Sequence, residues 1–415
     1  MGMSRTDCFI LVRFCFCKKP PHRCEAIPVT RKTANHTWVR LRTDGPGFVS
    51  WPINQSFSPK RVPPPLALSF SRSSSDSGSF VDSKMAETKP TMHAVWYDSY
   101  GGGPAGLKHV DIPVPAPQKD ELLLKLEAIS INPVDWKTQK GMLRPVLPPK
   151  FPHIPATDVG GEVVEVGTAV KKFKPGDKVV AILSHLKGGG FAEFAVAKEN
   201  LTVARPPEVS APEGAGLPVA GLTALQALTQ AAGIKLDRSG PLKNILITAA
   251  SGGVGHYAVQ LAKLGNTHVT ATCGTRNVDF VRSLGADEVL DYKTPEGAAL
   301  KSPSDKKYDF VVHCAHSFPW TVFEPNLSEC GKVIDITPSI GAMMTFALKK
   351  LTFSKKQLVP LLLTPKGENL EFVVKLVKEG KLKTFIDSTY PLSKAEDAWA
   401  KSINGHATGK IIVEP

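Results

Sequence analysis

The residues best placed to do chemistry lie in one stretch, Ile247 to Lys263, "ITAASGGVGHYAVQLAK". An apolar run, "NILIT", enters three glycines and passes directly into an amphipathic helical pattern. In that setting glycine lets main chain come close to a phosphate, and the helix start offers unpaired N–H groups to its charge. Ala250 takes the first position of a dinucleotide turn, Gly252 the second and Gly255 the third. Gly252 admits the pyrophosphate, Gly255 lets the helix pack on the strand, and Ser251, Gly253 and Val254 complete the turn. A lone glycine triplet also occurs for structural reasons, so the strand before it and the helix after it carry the assignment.

The following strand selects the dinucleotide. An NAD site ends that strand with an acid about 20 residues on, to hold the ribose hydroxyls. Here the strand ends "TATCGTRN", with no acid before Asp279. Gly274 leaves room, Thr275 can donate a hydrogen bond, and Arg276 can pair with a phosphate dianion. This combination suits the 2′-phosphate of NADPH. The alternative is a solvated arginine in a surface loop.

The elements that must position these residues follow from periodicity. Residues 1–84 show none that is sustained, and they end in the Ser-rich "SFSRSSSDSGSFVDSK". They read as a disordered leader or a transit-like extension. From Met92, short β-rich runs such as "ELLLKLEAISIN", "GGEVVEVG" and "DKVVAIL" are separated by Gly/Pro turns. After Pro212, helices alternate with strands: "GLTALQALTQAAG", "NILIT", "HVTATC", "DEVLDY", "YDFVVHCA", "GKVIDIT". That alternation indicates a parallel sheet with helical crossovers. From Asn369 come two helices and a last strand, "GKIIVEP". The expected class is α/β.

The totals exclude little. The net charge of +13 sits mostly in residues 1–84, which carry 13 Lys/Arg against 5 Asp/Glu. The remaining excess of +5 is a weak argument for nucleic acid. Four of seven cysteines lie in the leader. Cys273, Cys314 and Cys330 in the body are too few and too irregular for a disulfide scaffold. Cys15, Cys17, His22 and Cys24 match no zinc spacing. No apolar run approaches the roughly 18 residues needed to cross a bilayer.

"AASGGVGHYAVQLAK", with "INPVD", "VKKFKPGDKVV", "GLTAL" and "HATGKIIVEP", resembles the zinc-free quinone oxidoreductase group of the medium-chain dehydrogenase/reductase superfamily. The likeness spans Met85–Pro415 and is greatest to plant chloroplast-envelope members. It implies a GroES-like catalytic domain (85–216, completed by 356–415) interrupted by a Rossmann NADP-binding domain (217–355). It also implies a homodimer, and a chloroplast location peripheral to the inner envelope; without a transit function for the leader, the location would be cytoplasmic. Zinc-dependent relatives draw their catalytic metal from Cys and His at positions that match Asn132, Thr157 and Val219 here. None of these is a good zinc ligand, so no metal is expected.

Without a metal, hydride transfer from NADPH requires a near-attack geometry and hydrogen-bond donors at the acceptor carbonyl. Asn132, Asp135, Trp136 and Lys137 are the cleft candidates, although Lys137 also reads as a solvated surface lysine. By position in the family, Thr223, Tyr292, Cys314, Ala315, Thr337 to Ser339, His406 and Lys410 are expected along the cofactor. His406 and Lys410 are placed near the 2′-phosphate. His313 and His316 read as packing or cofactor-edge residues. The segment Met343 to Leu363 carries Lys349, Lys350, Lys355 and Lys356 among apolar residues. A cleft wall, a plain surface helix and a lipid-facing patch all remain open for it. The leading expectation is an NADPH-dependent reductase of enones, oxidised fatty-acid ketones included, or of quinones. The alternative is an NADPH-binding structural, sensor or RNA-binding protein with little turnover.

Overall fold

The computed structural model describes residues 90–144, 149–315 and 318–415. The expectations for the leader, its cysteines and His22, and for His316 lie outside the described residues.

An antiparallel ribbon, β1 (Thr91–Trp96) with β2 (Lys108–Pro113), precedes the first sheet. There follow β3 (Glu121–Ile131), α1 (Pro133–Gln139), β4 (Asp158–Val166), β5 (Lys178–Ile182), β6 (Phe194–Lys198) and β7 (Thr202–Ala204). Helices α2 (Ala211–Ala215) and α3 (Pro218–Gln226) lead into the alternating part. Its elements are β8 (Lys243–Ile247), α4 (Gly255–Leu264), β9 (Thr267–Cys273), α5 (Val278–Ser283), β10 (Glu288–Asp291), α6 (Pro295–Ala298) and β11 (Tyr308–His313). Then come α7 (Trp320–Phe323), β12 (Leu327–Asp335), α8 (Ile340–Leu351) and β13 (Gln357–Pro360). The chain closes with α9 (Gly367–Lys378), β14 (Ile386–Pro391), α10 (Ala395–Asn404) and β15 (Lys410–Glu414).

Strands β8 to β13 form an all-parallel six-stranded sheet in the order β10-β9-β8-β11-β12-β13. This is the doubly wound order, which places a ligand crevice where the order reverses, at the carboxyl ends of β8 and β11. Both faces are covered, as parallel sheets require. Ile245, Ile247, Val312 and Ile334 pack against α3, α4 and α9, while Leu246, Val311 and Val333 pack with Phe323 and Leu358. The sixth strand lies past residue 355, the boundary the resemblance implies, so this sheet extends to Pro360.

The other sheet is seven-stranded, in the order β14-β15-β3-β4-β5-β7 with β6 on the other side of β3. The chain therefore leaves this sheet at β7 and returns to it at β14. The fully buried Trp399 on α10 holds that return in place, its indole N–H donating to Gln139 Oε1 on α1 at 3.0 Å. Helix α1 begins where it does because Asn132 and Asp135 form a capping box around Pro133, which needs no amide partner at the first turn.

Candidate functional site

The glycine turn joins β8 to α4. Thr248 closes the strand end, its hydroxyl lying 2.9 Å from His313 Nδ1 and accepting from Cys314 N at 2.9 Å and Ala315 N at 3.3 Å. The two neighbouring strands are thus tied at their carboxyl edge. The residue in glycine-like conformation is Ala249, at φ 48°, one earlier than the sequence pattern implies. A Cβ on Gly255 would lie 2.3 Å from Ala249 O and 2.6 Å from Ala250 Cα. Gly255 is therefore required by the fold. A Cβ on Gly253 would meet nothing nearer than Lys410 Cδ at 3.5 Å, and one on Gly252 would meet only Ala249 O at 3.3 Å. Those two leave main chain accessible, as a pyrophosphate needs. His256, in the first turn of α4, is kept neutral because burial pushes its pKa down to about 4. Phe385 N–H approaches its Nε2, which assigns the proton to Nδ1 and the donated bond to Gly252 O at 2.9 Å.

Past β9, Gly274 packs closely on Tyr292: a Cβ there would lie 3.1 Å from the tyrosine hydroxyl, at the end of a half-exposed side chain. Thr275 donates to Asp291, so its hydroxyl is already engaged by an acid at the end of β10. That acid stands on the strand after β9, not where a ribose-holding carboxylate belongs. Arg276 is exposed and donates to His406 O. Ser251 accepts from Asn277 Nδ2 at 3.0 Å through its hydroxyl and from Gly409 N at 2.8 Å through its carbonyl; Thr408 donates to Asn277 Oδ1 at 3.1 Å. Residues 406–410, leading into β15, thereby clamp the phosphate turn and the basic edge together. His406 lies beside Arg276 through its carbonyl. Contrary to expectation, Lys410 does not lie at the basic edge: its stem passes Gly253 and its ammonium turns inward to Asn132 Oδ1 at 2.6 Å, away from solvent.

That contact belongs to a buried network. Asn132 Nδ2 donates to Asp158 Oδ2 at 2.8 Å, Val219 N donates to the same oxygen at 2.9 Å, and Asn132 N donates to Asp135 Oδ2 at 2.7 Å. Burial pushes Asp135 up to about 7 and Asp158 up to about 6, while it pulls Lys410 below the usual amine range. Asn132 stands between the three charges. Asp158 was missed from the sequence; an acid set inside the apolar "PATDVGG" was the available signal.

The same geometry answers whether zinc fits. Thr157 donates to Asp158 Oδ1 at 3.3 Å, Asn132 is committed to Asp158 and Lys410, and Val219 offers only its amide. This donor set does not fit a catalytic zinc. Among the described residues no cluster of three His, Cys, Asp or Glu could hold a metal.

Along the sheet's carboxyl edge, Ala315, Thr337 and Ser339 border a cavity of about 590 Å³ together with Phe318, Trp320, Phe323 and Asp335. Thr337 N donates to Asp335 Oδ1 at 2.9 Å, and Ser339 caps α8. Cys314 lies at the strand end beside them, its thiol pushed up to about 12 by burial, which keeps it protonated. His313 packs on Phe318 and Phe323. Thr223 donates to Val219 O within α3 at 2.7 Å. Trp136 and Lys137 follow Asp135 on α1, with the Lys137 ammonium 5.7 Å from the Trp136 ring.

Helix α8 buries none of its residues, and Ile340, Met344, Leu348 and Leu351 are exposed. Three of the four lysines on this helix and the segment after it are engaged. Lys349 pairs with Glu324 at 2.7 Å, Lys355 pairs with Glu329, and Lys356 donates to Glu324 O.

Comparison with known proteins finds relatives over most of the chain. The alcohol dehydrogenase GroES-like domain family matches residues 118–207, and the zinc-binding dehydrogenase family matches 284–413. The chain is 76% identical over 324 residues to the chloroplast envelope quinone oxidoreductase homolog of Arabidopsis thaliana, covering 78% of this chain and 98% of that protein. It is 32% identical to the chloroplastic NADPH-dependent alkenal/one oxidoreductase of the same plant, covering 84% of this chain and 86% of the relative. The quinone oxidoreductase structure from Coxiella burnetii superposes with a TM-score of 0.70 at 32% identity, covering 79% of this chain and all of that one.

Proposed function

Since the chain belongs to the quinone oxidoreductase group of the medium-chain dehydrogenase/reductase superfamily, we propose that it is an NADPH-dependent, zinc-independent plastid reductase of α,β-unsaturated ketones, oxidised fatty-acid ketones included, or of quinones. The observation that supports this reading is a glycine turn that leaves main chain accessible at Gly252 and Gly253, beside Lys410, whose stem passes Gly253 and whose ammonium is bound to Asn132, where zinc-dependent relatives place a ligand.

NADPH, when bound, supplies a hydride from its dihydronicotinamide ring. The chain's part is to bind, orient and polarise. Gly252 and Gly253 admit the pyrophosphate, Arg276 pairs with the 2′-phosphate, and Tyr292 packs on the adenosine. Thr223, Cys314, Ala315, Thr337 and Ser339 are the contacts assigned to the rest of the cofactor, and Asn132, Asp135, Trp136 and Lys137 are the candidates that face the acceptor. The catalytic part comprises residues 85–216 and the return from 356, less the sheet strand ending at Pro360. Strand β13 is an edge with one unpaired side among the described residues, which suits a homodimer joined there. Location in the chloroplast is supported by the plastid relatives. Attachment to the envelope would rest on the exposed apolar side chains of α8.

The deciding experiment incubates the purified protein with NADPH or NADH against quinones, short enones and long-chain oxo-fatty acids, with product identification. Reduction of an enone carbon–carbon double bond or a quinone, faster with NADPH, is the expected result. NADPH binding without turnover on any acceptor would overturn it.

A further inference from the structure

Ala315, Thr337 and Ser339 mark only one end of the cavity of about 590 Å³, and the rest of its lining has no part in holding the cofactor. Its floor is Val333 and Leu358, paired across β12 and β13 and buried in one cluster with Phe323. Its end wall is Phe318, Pro319, Trp320 and Phe323. The rings of His313, Phe318 and Phe323 meet there at steep angles, with centroids 4.9 to 6.0 Å apart. Helix α8 lends the cavity Gly341, Ala342 and Thr345, three small residues in its first two turns. A helix packed on a sheet fills that position with large side chains, because interiors are close-packed. Here the far end of the helix is pinned instead: Lys349 pairs with Glu324 at 2.7 Å and stands 4.8 Å from the Trp320 ring. At the near end Ser339 Oγ accepts from Ala342 N at 3.1 Å. Thr345 donates its hydroxyl to Gly341 O at 2.9 Å, so the helix offers the cavity apolar surface. Fixed elements thus hold the space open, at the volume of a small-molecule site. Its polar groups, on His313, Asp335, Thr337 and Ser339, all stand at or past the carboxyl ends of β11 and β12. Its apolar groups extend away from that edge, and rings already packed edge to face favour a further ring by the same quadrupole attraction.

We propose that this cavity is the specificity subsite for the acceptor, that it takes an aromatic ring carried on the enone, and that Ala342 and Thr345 set its size. This rests on the enone-reductase reading. The carbonyl and the double bond stay at the strand ends beside Ala315 and Thr337, and the ring reaches under α8 between Phe323 and Ala342. An aliphatic chain of equal carbon number can enter the same space. It gives up more internal rotation there and gains no ring pairing, so the subsite selects the ring. A large side chain at position 342 or 345 would occupy the place of the ring and leave the strand ends open to a short acceptor.

The test uses the full chain with saturating NADPH and three acceptors of like intrinsic reactivity. They are 3-hexen-2-one, 6-phenyl-3-hexen-2-one, whose ring is not conjugated to the alkene, and 3-dodecen-2-one, which matches the phenyl compound in carbon number. In wild type, kcat/KM for the phenyl compound should exceed that for 3-hexen-2-one by about tenfold or more, the low end for burying such a group. It should exceed that for 3-dodecen-2-one by about threefold. The gain should lie mainly in KM, as uniform binding does. Ala342→Phe, and separately Thr345→Phe, should bring the phenyl-to-hexenone ratio to within about twofold of unity. Met344→Phe, at an exposed position of the same helix, should keep the wild-type ratio. Competitive inhibition by the saturated 6-phenyl-2-hexanone should weaken about tenfold in Ala342→Phe, whereas a purely structural defect would lower turnover of all three acceptors together. If wild type reduces 3-hexen-2-one but shows a ratio near unity, or turns over 3-dodecen-2-one as well as the phenyl compound, the aromatic subsite falls while the reductase reading stands. The same holds if the two filling variants fold and keep the wild-type ratio. If wild type reduces none of the three, both fall. Should Ala342→Phe misfold, Thr345→Phe and the wild-type ratios decide.

Discussion

Substituting the glycines of the phosphate turn one at a time separates what the fold needs from what the ligand needs. In Gly255→Ala the new methyl carbon would sit 2.3 Å from Ala249 O, 2.6 Å from Ala250 Cα and 2.9 Å from Ala249 C. All three are backbone atoms, so no side chain can rotate out of the way. Ordinary contact begins near 3.4 Å, so α4 would have to move away from β8 by about 1 Å. Tyr257, Ala258, Val259 and Leu261 on that helix are fully buried, and the shift would loosen their packing. Overpacking of this kind costs about 1–3 kcal/mol, which at roughly 2–4 °C per kcal/mol lowers Tm by about 2–12 °C. In Gly253→Ala the nearest atom would be the flexible Lys410 stem at 3.5 Å, and the residue's φ is not in the left-handed region. Its Tm without ligand should stay within about 1 °C of wild type, while the methyl intrudes on the face offered to the pyrophosphate. NADPH affinity, read by fluorescence or calorimetry, should fall at least tenfold. The reasoning is refuted if Gly255→Ala melts like wild type, or if Gly253→Ala binds NADPH normally.

Other consequences are equally direct. Arg276→Ala should weaken NADPH binding by about tenfold or more, the worth of a charge-assisted pair to phosphate. NADH binding should change less than about threefold; equal losses would remove the 2′-phosphate assignment. Asp135, raised from 3.8 to about 7, binds a proton in the folded state that the unfolded chain releases above about pH 4. Stability from this group is therefore lost as pH rises from about 4 to about 7, by on the order of 4 kcal/mol taken alone. His153 and His256, both held near 4, act in the opposite direction. The readout is thus the difference between wild type and Asp135→Asn in urea midpoints at pH 5 and pH 8. An identical pH slope for the two proteins would contradict the buried-acid picture. Replacing Lys349, Lys350, Lys355 and Lys356 by glutamine should leave sedimentation with anionic vesicles unchanged, because Glu324 and Glu329 already neutralise two of them. A large drop would restore the basic-face reading.

Much of the site was legible because its requirements are local. Glycine was needed at 255 because strand and helix meet there within a few residues, and the absence of an acid after β9 could be read directly. Ala249 rather than Ala250 adopts the left-handed backbone, a one-residue difference that spacing alone does not resolve. The lysines of the 343–363 segment looked like a basic surface because their partners, Glu324 and Glu329, precede them on other elements. Asp335 was hidden in "GKVIDIT", where an acid closing an apolar strand was the only signal.

Sequence alone determined the α/β alternation, which follows from residue type within short windows; it also supplied the expectations of a phosphate turn and a basic edge, and, through the resemblance, of no metal ligands at Asn132, Thr157 and Val219. Tertiary structure decided the rest. The contacts Lys410 to Asn132, Arg276 to His406 and Trp399 to Gln139 span separations of 278, 130 and 260 residues. They exist because the chain leaves the seven-stranded sheet at β7 and returns at β14, carrying the last strands back across the mouth of the parallel sheet. Burial there, and not residue type, drives the ionisation of Asp135, Asp158 and Lys410 away from ordinary values, because desolvation is a property of the assembled interior.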